Sequence, residues 1–131
     1  MEAGLRQIVA LAEHVPEDKY EYRPVDEVRT FADVLTHTAF WNQYVAERAN
    51  GRESDESLNE LPKTRYSTKK QILDVLRRSN KESVAALQKH ETLDDKTAEM
   101  VVTFIAHTSG HYGQLVVYAR LNNIVPPSSA T

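Results

Sequence analysis

Residues 100–129, MVVTFIAHTSGHYGQLVVYARLNNIVPPSS, constrain the fold more than any other stretch. Apolar residues recur at helical spacing through Val101, Phe104, Ile105, Leu115, Tyr118 and Ala119, with Thr108 on the same stripe. The run ends abruptly, because Asn122 and Asn123 suit a helix cap and the rings of Pro126 and Pro127 forbid continuation. This is one long amphipathic helix, begun at Asp94 or Asp95, whose single apolar face belongs against a bundle. Gly110 and Gly113 interrupt it at about 1 kcal/mol each relative to alanine, so a packing or ligand-access reason is expected for both.

Three further helices are expected. Leu5, Ile8, Val9, Leu11 and Ala12 line one side of a short first helix that Pro16 brings to a stop. Residues 15–29 have two prolines and no sustained period, and read as an ordered connection with Tyr20 and Tyr22 packed on the bundle end. Thr30 is the expected N-cap of a second helix, whose inward stripe runs through Phe31, Val34, Leu35, Thr38, Trp41 and Val45 to a left-handed stop near Asn50 and Gly51. Residues 51–67 are polar and without a helical face, and fully extended they reach ~55 Å, enough to run the length of a bundle. Thr68 and Gln71 form a capping-box pattern for a third helix with Ile72, Val75, Leu76, Val84 and Leu87 inward. Its short connection to the last helix predicts that those two are antiparallel neighbours.

Scarce glycine and proline with helical periodicity throughout predict an all-α domain spanning residues 1–131, and that length buries a core without disulfides. The chain has no cysteine, which excludes a thiolate metal site or a cysteine nucleophile and leaves His, Asp or Glu to hold any metal. A net charge of −3 with both signs dispersed gives no footprint for nucleic acid. No stretch approaches a membrane span and the first residues lack the pattern of a signal peptide, so a soluble, cytoplasmic protein with no membrane partner is expected.

His107 and His111 are four residues apart, which stacks both imidazoles on one helix face. His37 lies beside Val34 and Trp41 on the inward stripe of the second helix. Three histidines from two helices would make a metal site with an open coordination position. His37 lies ~10 Å into its helix and His111 ~16 Å before the end of its own, so the three meet in one layer if those helices are antiparallel. The competing reading is a closed polar network in which Thr103, Thr108, Tyr112 or Gln114 satisfies the imidazoles. Thr108 directly after His107 excludes an HExxH metalloprotease motif. His14 and His90, each at a helix end, read as dipole-favoured surface residues.

The runs HTSGHYGQLVVYARLNNIVPPSS, VRTFADVLTHTAFWN and VPEDKYEYRP, in this order along nearly the whole chain, resemble the DinB superfamily, also called DinB/YfiT-like. The resemblance implies an up-down-down-up four-helix bundle with a long connection between helices 2 and 3, usually a homodimer. It also implies a divalent metal held by three histidines, here His37, His107 and His111. Imidazole suits zinc, nickel, iron or cobalt, with manganese a further candidate. Other members look like transferases or isomerases that work with low-molecular-weight thiols. The leading expectation is a metal-dependent enzyme that activates a small thiol for S-transfer to an electrophilic small-molecule substrate. The alternatives are a metal-dependent hydrolase, with Asp33 the nearest candidate base, and a non-catalytic dimeric metal-binding bundle.

Overall fold

The computed structural model of the chain describes residues 2–129; Met1, Ala130 and Thr131, which the 1–131 domain reading includes, lie outside the described residues. Those described form four α-helices, α1 (Glu2–His14), α2 (Phe31–Ala49), α3 (Lys69–Gln88) and α4 (Asp95–Leu121), with short 3₁₀ turns at Glu17–Lys19 and Pro127–Ser129 and no strand. The helices start where a side chain satisfies an amide that the first turn leaves unpaired. The Asp33 amide donates to Thr30 Oγ1 at 3.1 Å, the Thr97 amide donates to Asp94 Oδ1 at 2.7 Å, and Thr68 with Gln71 closes the expected capping box on α3. The chain leaves α2 through Gly51 at φ 78° and leaves α4 through Asn123 at φ 60°, both in the left-handed region.

Hydrogen bonds between helices give their directions. Lys69 at the start of α3 donates to the Glu13 and Val15 carbonyls at the end of α1, each at 2.8 Å, so these helices are antiparallel. His90, just beyond α3, donates to the Ala49 carbonyl at the end of α2 at 2.8 Å, and Asn42 midway along α2 donates to Ser79 and Asn80 midway along α3. Those two helices are therefore parallel, as only a long crossover permits. The Tyr118 hydroxyl, near the end of α4, donates to the Arg29 carbonyl ahead of α2 at 2.7 Å, while Val45 and Phe104 share a cluster with Leu5 at the opposite end. So α4 runs against α2 and along α1, and the bundle is up-down-down-up.

One expectation fails. The principal packing is α2 on α3 and α4, and α1 on α3 and α4, which puts α3 and α4 on a diagonal rather than side by side. α3 has α1 and α2 as its two neighbours, so α4 fills the remaining place between α1 and α2, and the short connection crosses the bundle end instead.

Ile8, Leu11, Val34, Leu35, Ile72, Val75, Leu76 and Leu115 build the main core. Tyr20 closes its end, buried with its hydroxyl donating to the Ala12 carbonyl, and Tyr22 meets Tyr118 edge to face. Two residues placed on inward stripes lie elsewhere. Trp41 is only half-buried, and Ile105 is 39 % exposed. Both belong to the flank of α2 or α4 beside the core, a difference of a fraction of a turn that spacing does not resolve. The exposed Gly110 and Gly113 likewise have no packing reason within the chain, since a Cβ at either would meet nothing within 4 Å.

Leu35→Ala should cost about 2–5 kcal/mol in urea denaturation. Trp41→Ala should cost distinctly less; a loss equal to that of Leu35→Ala would put the indole back in the core.

Candidate metal centre

Because α2 and α4 are antiparallel, the layer argument holds: His37 from α2 meets His107 and His111 from α4. Their Nε2 atoms converge, with His37 to His107 at 2.9 Å and His111 to His107 at 3.0 Å. His37 is buried and the other two are half-buried. Among the described residues no carboxylate joins this cluster, whose ligand atoms all lie within 4.8 Å of one another.

The tautomers follow from what each ring touches on its other side. His37 Nδ1 lies 2.8 Å from the Asn59 carbonyl, which only accepts, so Nδ1 carries the proton. The Tyr118 hydroxyl spends its proton on the Arg29 carbonyl and therefore accepts from Gln114 Nε2 at 3.0 Å. That fixes the amide of Gln114 with Oε1 towards His111, where it accepts from Nδ1–H at 2.8 Å. Neutral His37 and His111 thus both present bare Nε2 lone pairs to His107 Nε2. A single proton on His107 can satisfy one of them at most. Two or three lone pairs aimed at one point are the donor set of a cation, and the residues present can hold a metal ion in a three-nitrogen site with a position left open.

Electrostatics keep these rings ready to ligate. Burial holds the imidazole of His107 down to about 4, with His111, His37 and Arg29 adding repulsion of the protonated form. Burial also lowers His37 and His111, with Arg29 contributing to each, against the opposing effect of their Nδ1 hydrogen bonds. All three are therefore neutral near pH 7, as metal ligation requires.

Of the four residues that could close a polar network around the imidazoles, three do not reach a ring. Thr108 is buried, yet its hydroxyl has no hydrogen-bond partner, and Thr103 is exposed. Tyr112 is bonded to Ser128 in the C-terminal turn. Of these four, Gln114 alone serves an imidazole, that of His111. His14 is exposed and His90 caps α2, so neither approaches the centre. Asp33 is paired with Lys63 at 3.1 Å.

Sequence reasoning missed Asn59. It sits in the long connection at φ 59°, a conformation asparagine tolerates, and there its carbonyl faces His37 while its Oδ1 accepts from Trp41 Nε1–H at 2.8 Å. Arg29 with Glu60 at 2.6 Å, Lys63 with Asp33, and the Tyr44 hydroxyl donating to Glu56 at 2.6 Å hold this segment on α2. An asparagine in a polar loop gives no sign of such a role, and these pairings join residues far apart in the chain.

A cavity of about 700 Å³ opens onto His37 and His107 between α2 and α4, walled by Trp41, Tyr44, Val45 and Phe104. That is the size of a small-molecule site. No helix among the described residues is long and apolar enough to cross a membrane.

A family model described as DinB superfamily matches residues 1–115. Tyr118, Arg120, Pro126 and Pro127, which contribute to the resemblance seen in the sequence, lie beyond the matched segment. No curated protein matches the chain.

Gln114→Leu should reduce divalent-metal affinity by about 10- to 100-fold with the fold retained, read by competition with a chelating dye. The depressed imidazoles also set a pH dependence in metal-free protein. They take up protons more readily unfolded than folded, so the stability present above the unfolded value of 6.5 is lost as pH falls towards about 4. Denaturation of chelator-treated protein across this range should show that loss, and His107→Gln should flatten part of it; identical profiles would mean the ring is solvated.

Proposed function

The chain belongs to the DinB superfamily, and from that premise we propose a metal-dependent enzyme whose divalent ion is held by His37, His107 and His111 through Nε2 and which activates a small thiol for S-transfer to an electrophile. The observation that carries this reading is the convergence of Nε2 lone pairs at 2.9 and 3.0 Å, with the Nδ1 protons of His37 and His111 assigned by their partners. Zinc, nickel, iron and manganese are the candidate ions. Bound there, such an ion supplies Lewis acidity at its open position and lowers the pKa of a thiol brought to it. The residues of the chain do the rest. Asn59 and Gln114 hold two imidazoles in orientation, and the aromatic wall of the adjoining cavity limits water around the reacting groups. With no cysteine in the chain, the thiol comes from a low-molecular-weight partner.

A hydrolase would need a free base, and the Asp33 carboxylate is engaged by Lys63. A purely structural ion would favour four protein ligands and no adjoining cavity.

The protein is further proposed to act as a homodimer. Val102, Ile105, Val117 and Leu121 are exposed along the outer side of α4, and Gly110 and Gly113 leave that surface low enough for another helix to approach. Sedimentation should give a dimer for the parent and a monomer for Gly113→Lys; a monomeric parent would remove the role for this face.

Elemental mass spectrometry of untagged protein should find near-stoichiometric metal that is lost in His37→Ala and His111→Ala and kept in His14→Ala and His90→Ala. Equal loss in all four variants, or no metal in the parent after incubation with each candidate ion, would overturn the assignment. Small thiols should then perturb the d–d spectrum of cobalt-substituted protein; activity on activated esters without thiol would favour the hydrolase.

A further inference from the structure

We propose that the cavity between α2 and α4 binds a substrate with a flat apolar body and a zwitterionic end group, the body lying against Trp41 and the end group between Lys96 and Glu99. The proposal rests on reading the three histidines as a metal centre, because it assigns the end of the molecule nearest His107 to the chemistry.

The cavity changes character along its length. Near the histidines it is walled by the rings of Trp41 and Phe104, and Met100 continues the apolar wall farther along α4. Trp41 is the only tryptophan of the chain, and its one polar atom is already satisfied by Asn59, so the half-buried indole offers apolar surface. Eleven residues before His107 on α4, or ~16 Å along the helix, Lys96 lines the far end together with Glu99.

That rim carries both signs. Arg48 is paired with Glu53 at 3.5 Å, and Glu56 accepts from the Tyr44 hydroxyl. Lys96 and Glu99 have no ion-pair partner among the described residues. A carboxylate alone would gain Lys96 but face Glu99, and an ammonium alone would face the reverse. An end group with both charges gains a partner for each without the like-charge penalty.

Asn59 couples this cavity to the centre. One residue accepts from the Trp41 indole through its side chain and from His37 through its carbonyl, so a molecule seated against Trp41 bears on the ligand orientation of His37.

The test uses metal-loaded full-length protein and three probes sharing a phenyl body: homophenylalanine, 4-phenylbutyrate and 4-phenylbutylamine. The single indole N–H cross-peak in a ¹⁵N-labelled sample reports the wall directly. Homophenylalanine should shift it saturably, with an affinity about fivefold or more above either singly charged analogue. Glu99→Gln should weaken homophenylalanine and strengthen 4-phenylbutyrate, and Lys96→Gln should weaken homophenylalanine and strengthen 4-phenylbutylamine. Thr103→Trp, which fills the cavity from its exposed wall, should abolish all three shifts while leaving the metal content unchanged. Absence of any shift in metal-loaded protein, equal affinity for the three probes, or shifts that survive Thr103→Trp would overturn the proposal. Metal content measured on the same samples separates the two claims. Probe binding in a protein that holds no metal leaves the cavity assignment standing and removes the metal centre beneath it, whereas metal without probe binding does the reverse.

Discussion

The hydrogen bond from His37 Nδ1 to the Asn59 carbonyl is the contact on which the centre depends. It does three things. It fixes the tautomer of the most buried imidazole, turns its Nε2 towards α4, and ties the connection between α2 and α3 to the middle of α2. Gln114 performs the first two tasks for His111 from within α4, backed by Tyr118 and the Arg29 carbonyl. The carbonyl anchor of one ring belongs to the long connection, and the chain of bonds behind the other ends just ahead of α2. The geometry of the centre is thus held by the packing of non-helical segments as much as by the helices.

Fold and centre therefore share one cause. A connection long enough to run the bundle makes α2 and α3 parallel, and this leaves α4 to lie antiparallel to α2 on its other side. Only in that arrangement do His37 and the His107–His111 pair reach the same layer from opposite directions. The same connection then lies over the flank of α2, held by Glu56, Glu60 and Lys63, and contributes Asn59 to the wall of the cavity. A shorter link would give an antiparallel α2–α3 hairpin and place different faces against each other.

Much of this was legible in the sequence, for a local reason. Thr30, Thr68 and Asp94 act on amides within three residues of themselves, so the helix starts could be read directly, as could Gly51 and Asn123 at two of the ends. The four-residue spacing of His107 and His111 is likewise a property of one helix. What could not be read involves contacts between segments. The diagonal placement of α3 and α4 depends on which helices take the two places beside α3. Trp41 and Val45 share a stripe in the sequence and both border the cavity, yet Val45 is buried while Trp41 is half-buried, because the burial of each is decided by what stands opposite. Asn59 is the extreme case, a loop residue whose importance comes entirely from a partner 22 positions away.

The arrangement also bears on whether an ion here serves structure or chemistry. The main core of Ile8, Leu11, Val34, Leu35, Ile72, Val75, Leu76 and Leu115 is built of aliphatic side chains. Packing three neutral imidazoles together gains the bundle little: their lone pairs face one another, and apolar side chains of similar volume would fill the layer without that conflict. A layer that is unfavourable without a cation, beside an aliphatic core that packs the helices, agrees with the proposed metal centre. The cavity opening at His107 points the same way, because a closed structural site has no use for it.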